Sequence, residues 1–226
     1  MFQKQFLMNV NNGESNGKSI LDIILASHHV NCYHAMNQLK KLLALECSYQ
    51  LPDPIMDRFL EAMQPIELER GGILIDTGSV NPDIYVVKEG IFCYNYIDGI
   101  HDRCHAFAMP GTMMYSSHSY YLGKPAFYQI QACCDSVAMH CTKQVFDCLV
   151  NKYHEFACWA LSMAHCQLYY SEMKSSVING NAAERLVALT RYRPEILEKV
   201  QMKTLASYLG ITQQYLSTLK RKLKNH

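Results

Sequence analysis

Residues Met202 to Lys224 read MKTLASYLGITQQYLSTLKRKLK, and the parsing of this stretch decides the rest. Leu205, Ala206 and Leu209 share one helical face, Leu216, Leu219 and Leu223 share another, and Gly210 interrupts between them. Gly210 tolerates the left-handed conformation that ends a helix, and Thr212 is placed to cap the next one. The small side chain of Ala206 permits a close crossing, with Ile211 plugging the corner. The spacing predicts two short helices joined by a tight turn.

This unit looks like the helix-turn-helix of bacterial DNA-binding proteins, and its charge agrees. The chain carries only +1 overall, yet Lys199, Lys203, Lys220, Arg221, Lys222 and Lys224 are unaccompanied by any acid from position 199 onward. With six positive charges in that segment, the remainder of the chain carries −5. A basic module on an acidic body suits a polyanionic partner. A solvated basic tail on a helical hairpin would explain the charge but not the spacing of Ala206, Gly210 and Leu216.

Upstream, Asn181 followed by Glu184 has the form of a capping box, AAERLVALTRY is amphipathic, and Pro194 suits the first turn of a helix PEILEKV. Asn179-Gly180-Asn181 is the expected domain boundary. Before it, a long helix is predicted from His154 to about Ile178. Along it Phe156, Trp159, Met163, Cys166, Tyr170, Met173 and Val177 recur at alternating intervals of three and four, a heptad seam read as a dimer interface. Ala157, Leu161, Ala164 and Leu168 form a second apolar stripe, so the helix has two surfaces to bury. Both lying in one monomeric core is the alternative.

Further upstream, Thr142 is placed to cap a helix reaching about Val150, and before it the texture is short β-rich runs between turn residues. The runs are 73–76, 84–88, 91–97, 105–109, 127–132 and 137–141, punctuated by Gly71-Gly72, Gly78, Gly90, Asp98-Gly99 and Pro110-Gly111. Such spacing predicts an antiparallel roll or barrel. IMDRFLEAM, after Pro52 and Pro54, and NQLKKLLALE, with Leu39, Leu42 and Leu43 on one face, are predicted helices. The fold class expected is therefore α+β: an N-terminal antiparallel β-roll (36–150), a long dimerisation helix (151–178) and a C-terminal helix-turn-helix domain (181–226). Residues 1–35, polar and turn-rich, read as an extension and a candidate disordered leader.

At 226 residues the chain is long enough for two domains. It has no apolar run of membrane-spanning length, and its start lacks the apolar core of a secretory signal, so a cytoplasmic protein without membrane association is expected. The ten cysteines then read as reduced thiols. No CxxC occurs, and Cys104-His105, His140-Cys141 and His165-Cys166 lack metal-site spacing, so no metal or other cofactor is expected.

In this order, a glycine-punctuated roll, a heptad helix and a helix-turn-helix resemble the Crp/Fnr family of bacterial transcription regulators. The residues that carry the likeness are Arg70-Gly71 with Gly78, the run IYVVKEG ending at Gly90, Pro110-Gly111, Ala183-Glu184-Arg185 and the helix-turn-helix itself. The resemblance implies an effector pocket in a cyclic-nucleotide-binding-like roll, a homodimer through the long helix, and double-stranded promoter DNA and RNA polymerase as partners. By its match to the family's recognition helix, Gln213, Gln214, Ser217 and Thr218 would read bases. Lys203, Thr204, Thr212, Tyr215, Lys220 and Arg221 would hold phosphates.

The sequence departs from the family in several places. Cyclic-nucleotide-binding members carry a Gly-Glu pair after the Pro-Gly turn and an arginine about ten residues later. Tyr115-Ser116 and Ala126 or Phe127 occupy those positions here, and Lys124 offers only a point charge before Pro125. Tyr115, Ser116, Ser117, Ala126 and Phe127 thus outline an effector region without the charges a cyclic nucleotide needs, open to an unknown small-molecule effector or plugged by its own side chains. Cys32 and Cys47 are too far apart to match the family's iron–sulfur group, and nothing selects Cys93 or Cys104 with His105 for haem. The β-hairpin wing that follows the recognition helix in most members has no counterpart before His226.

The expected function is a sequence-specific, homodimeric transcription regulator rather than an enzyme. Two alternatives compete with it. One is a regulator that responds to no ligand. The other is a cupin-like metal-binding or enzymatic roll, for which His101 and His105 are badly spaced and lack a nearby acid.

Overall fold

A computed structural model describes residues 36–97, 102–178 and 181–224, with the side chains at 97, 102, 173–178 and 224 outside the description. The readings made for residues 1–35, for the turns at 98–99 and 179–180 and for His101 lie outside the described residues. The chain divides into two units, Met1–Gln38 and Leu39–His226, and the second holds the fold described below.

Two helices open it, α1 (36–46) and α2 (Asp53–Glu61). Pro52 caps α2 and Pro54 sits in its first turn, where no intrahelical N–H is needed. Eight strands follow: β1 (Gln64–Leu68), β2 (Ile73–Ile75), β3 (Ile84–Glu89), β4 (Phe92–Ile97), β5 (Asp102–Ala108), β6 (Met113–Met114), β7 (Gln129–Ala132) and β8 (Ser136–Cys141). They form two four-stranded sheets, ordered β1-β8-β3-β6 and β2-β7-β4-β5, with every pairing antiparallel, as the roll reading expects. Phe92, Ala108, Ile130, Ala132, Tyr85, Val87 and Met114 fill one core shared by both sheets. Pro65 is accommodated because β1 is an edge strand, where a missing donor costs no ladder bond.

The sequence reading did not assign β1, β6 or the short helix α3 (Ser117–Leu122). The signals for α3 were present: Ser116 Oγ accepts the N–H of Ser119 at 3.3 Å, and Gly123 ends the helix at φ +62°. Gly111, at φ +94°, lies against α1, and a Cβ there would come within 2.9 Å of Leu42 Cβ. That close approach fixes α1 on the Pro110-Gly111 turn.

Next come α4 (Lys143–Lys152), capped by Thr142 Oγ1 on the N–H of Val145, and the 25-residue α5 (His154–Ile178). Here the structure corrects the seam. Phe156 and Trp159 are wholly buried and Met163 almost so, within the chain's own core. Phe59 of α2 lies 5.2 Å from Phe156 and 5.4 Å from Trp159 between ring centroids, and Phe146 of α4 lies 5.3 Å from Phe156. Lower down, Cys166 Sγ donates to the carbonyl of Glu46 and Gln167 Nε2 to that of Met113. Surface already buried in the monomer is not available to a partner, so Phe156, Trp159 and Met163 do not belong to a dimer seam. Tyr170 is exposed, and the side chains of Met173 and Val177 lie outside the described residues. The second stripe is the one left open, with Leu161 58% and Leu168 62% exposed. Both stripes have helical spacing, but only the bulky aromatic one fills the wedge between α2 and α4.

The C-terminal segment comprises α6 (Ala182–Tyr192), α7 (Pro194–Lys199), α8 (Met202–Leu209) and α9 (Gln213–Lys224). Asn181 and Glu184 complete the capping box reciprocally, at 3.0 and 3.1 Å. Leu186, Leu189, Ile196, Leu205, Ala206, Leu209, Leu216 and Leu219 form one core.

Candidate nucleic-acid interface

The turn between α8 and α9 is built as its residues require. Gly210 adopts φ +65°, the N–H of Ile211 donates to the carbonyl of Ala206 at 3.0 Å, and Thr212 Oγ1 accepts the N–H of Tyr215 at 3.2 Å. Leu216 and Leu219 point into the core, which turns the opposite side of α9 outward. Leu223 is the exception among the leucines, being 40% exposed.

Gln213, Gln214 and Ser217 are exposed at the start of α9, and together with Thr212 and Met202 they line one shallow concavity between the two helices. Glutamine offers a donor and an acceptor that match two edges of adenine. Thr218 is half-buried, and its hydroxyl donates to the carbonyl of Gln214 at 3.1 Å, so it is already engaged within the helix. Lys203, Thr212, Tyr215 and Arg221 are exposed around this face, whereas Thr204 and Lys220 are half-buried. The ten residues named from the resemblance are thus gathered on α8, α9 and the turn.

A second relation was not legible in the sequence: α8 is docked on the roll. Ser207 Oγ accepts the N–H of Cys104 of β5 at 3.0 Å, and the rings of Tyr208 and Phe107 lie 4.8 Å apart. Ile91, Cys93, Cys104, Met109 and Cys133 of the roll join the helix-turn-helix core in one apolar cluster. Burial against the roll pushes the Tyr208 phenol above its ordinary range.

In the roll, the effector region is occupied by aromatic side chains. Tyr128 donates its hydroxyl to the carbonyl of Tyr115 at 3.0 Å and lies against Tyr94 and Tyr96 at 5.2 and 5.9 Å. Tyr94 is so enclosed that desolvation drives its phenol far above the usual value. Of the five residues assigned to the effector region, Ser116 caps α3, and Ala126 is held by backbone bonds to Gly78 and Ser79. Ser117 and Phe127 are exposed, which corrects their assignment as pocket lining; Phe127 stacks on His118 at 4.0 Å instead. For Ser117 the physical reason is the formation of α3, which turns successive side chains to different sides; for Phe127 it is the stack on His118 of that helix. Tyr94 and Tyr128, which the sequence reading did not single out, are the residues that occupy this interior.

Among the described residues no group of three His, Cys, Asp or Glu side chains has the arrangement to hold a metal ion, and no helix is long and apolar enough to cross a membrane. His105, named in the cupin-like and haem readings, packs edge-on against Tyr96 at 5.5 Å.

No family model matches the chain, and no curated protein is similar to it in sequence. Solved structures are. FixK2 from Bradyrhizobium japonicum superposes with a TM-score of 0.62 at 14% identity, over 72% of this chain and 85% of that one. CLP of Xanthomonas campestris, a c-di-GMP-responsive global regulator, gives 0.61 at 14% over 77% and 92%. A CooA variant from Carboxydothermus hydrogenoformans gives 0.58 at 14% over 78% and 87%. The protein has the fold of these Crp/Fnr-type regulators, a cyclic-nucleotide-binding-like roll followed by a long helix and a C-terminal helix-turn-helix.

Proposed function

We propose that the protein is a sequence-specific transcription regulator that binds double-stranded promoter DNA as a homodimer, with RNA polymerase as a further partner and no enzymatic activity. The observation that carries this reading is the outer face of α9, where Gln213, Gln214 and Ser217 stand exposed at the helix start, flanked by basic side chains and backed by buried Leu216 and Leu219. The first residues of a recognition helix are those that meet base edges in the major groove. Selection of bound sequences from random duplex DNA tests the reading directly. A two-fold dimer should select a pseudo-palindrome with half-sites about one helical turn apart, and recovery of no common motif would count against it.

Gln213→Ala or Gln214→Ala is expected to relax base preference at one position per half-site, costing about 1–3 kcal/mol on the selected sequence. Lys220→Ala should weaken binding to every sequence alike and flatten the salt dependence by about one unit. A selected motif unchanged by both glutamine variants but altered by Lys220→Ala would overturn this assignment of the reading face.

The tyrosines packed inside the roll favour a regulator that does not respond to a cyclic nucleotide, and within that reading one independent of any effector. Neutral Ser116 and Ala126 offer no charge to a cyclic phosphate. Calorimetry with cyclic AMP and cyclic GMP should give no measurable heat of binding. Micromolar affinity, roughly −8 kcal/mol, would contradict the assignment.

A further inference from the structure

Three buried cysteines of the roll form a row directly beneath the first helix of the helix-turn-helix. On β4, Phe92 and Tyr94 point into the roll, so Cys93 points outward by strand alternation. Its neighbours are set by register: Cys104 of β5 opposes Asn95, Gln131 of β7 opposes Cys93, and the N–H of Cys133 bonds the carbonyl of Ile91. Cys104 on β5, Cys93 on β4 and Cys133, one residue past the end of β7, therefore lie in a diagonal row on one face. The thiol of Cys93 donates to the carbonyl of Gln131 at 3.6 Å and accepts from Asn95 Nδ2 at 3.4 Å, between the two flanking cysteines. All three are buried in the apolar cluster they share with Leu205, Ala206 and Leu209 of α8, which rests on β5 through Ser207 and Tyr208. A row differs from a metal site, whose ligands must converge on one point.

We propose that Cys93 is a modification site for hydroperoxides, resolved by Cys104 or Cys133 to a disulfide that loosens α8 from the roll. Cys93 is the central thiol of the row and the one whose sulfur accepts from Asn95 Nδ2, at 3.4 Å; Cys104 and Cys133 on either side hold it below its ordinary range despite burial. In the first step the Cys93 thiolate attacks a peroxide oxygen. The S–O bond forms as the O–O bond breaks, and the departing oxygen is protonated to an alcohol, or to water from hydrogen peroxide, leaving a sulfenic acid. In the second, a flanking sulfur attacks Cys93; the S–S bond forms, the S–O bond breaks, and water leaves with the flanking thiol's proton. One hydroperoxide is reduced and two thiols are oxidised. Diagonal cross-strand neighbours stand about 7–8 Å apart at Cα, beyond the usual disulfide span of about 4.4–6.8 Å. Closing the bond draws β4 toward β5 or toward the end of β7, and Ser207 and Tyr208 rest on β5 at Cys104 and Phe107.

The effect on DNA rests on the regulator reading above; the thiol chemistry and the release of α8 do not. The full chain is treated with hydrogen peroxide, its remaining thiols are alkylated and its peptides mapped, with limited proteolysis and binding to the selected duplex followed in parallel. The expected result is a disulfide joining Cys93 to Cys104 or Cys133, faster cleavage between the roll and the C-terminal helices, and at least about a tenfold change in DNA affinity, all reversed by dithiothreitol. Cys93→Ser should abolish every response, whereas Cys148→Ser, at an exposed thiol, should abolish none. If Cys93→Ser does not fold, the double variant Cys104→Ser/Cys133→Ser keeps the reactive thiol and should accumulate a sulfenic acid that dimedone traps. Cys93 fully alkylated after peroxide overturns the site, and a disulfide that leaves proteolysis unchanged overturns the coupling. If the reduced protein selects no DNA, the regulator reading fails while mapping and proteolysis still decide this one.

Discussion

Trp159→Ala is expected to destabilise the protein by about 3–5 kcal/mol, the range for removing a large aromatic side chain from a close-packed core. Trp159 is fully buried and sits 5.2 Å from Phe156 and 5.4 Å from Phe59, at the junction of α2, α4 and α5. Its indole Nε1 has no hydrogen-bond partner, so the loss comes from packing and desolvation rather than from a broken bond. Against a total stability of about 5–15 kcal/mol, that loss removes a large share of the folded population at modest temperature. Urea denaturation followed by circular dichroism, since this is the chain's one tryptophan, should give a lower midpoint at an unchanged slope. A loss below about 1 kcal/mol would contradict burial in the core. So would a midpoint shift that disappears at high protein concentration, because that is the signature of a residue between subunits.

The double variant Leu161→Glu/Leu168→Glu should leave each chain folded and abolish the proposed homodimer. The two leucines lie one heptad apart on the exposed side of α5, with Ala157 and Ala164 completing an alternation of four, three and four. In a paired helix the glutamates would face their own copies, and burying like charges against each other costs far more than the leucine contacts contribute. Sedimentation should find monomers whose circular dichroism is unchanged, and the affinity for a palindromic site should fall toward that of a single half-site. A variant that still sediments as a dimer would place the interface elsewhere. Met163→Glu makes the contrast, since it puts a charge into the monomer's own core and should unfold the chain instead.

Much of the helical architecture was legible because its signals are local. Gly210 between two apolar faces, Thr212 as a cap, and Asn181 with Glu184 as a capping box each act within a few residues of chain, and the structure forms all of them. The extent of α5, His154–Ile178, followed from its periodicity. The strands were found where β-rich runs lie between turn residues. Strands β1 and β6 were not, because Gln64–Leu68 contains a proline and an alternation too short to register, and Met113–Met114 is only two residues long.

What the sequence by itself determined about this protein is therefore most of the elements, all but β1, β6 and α3, their order, and the exposed residues Gln213, Gln214 and Ser217 at the start of α9. Tertiary structure alone decided three further things. Two stripes of α5 had the spacing to be buried, and the space between α2 and α4 selected the aromatic one, leaving Leu161 and Leu168 outside. The interior of the roll was claimed by Tyr94 and Tyr128, whose positions are 34 residues apart in the chain and meet only through the pairing of β4 with β7. Cys93, Cys104 and Cys133 came into one row, beneath a helix a hundred residues further on, because sheet register and the docking of α8 brought them there. Local propensity acts over a few residues, whereas register and packing join positions that nothing in their own neighbourhood connects.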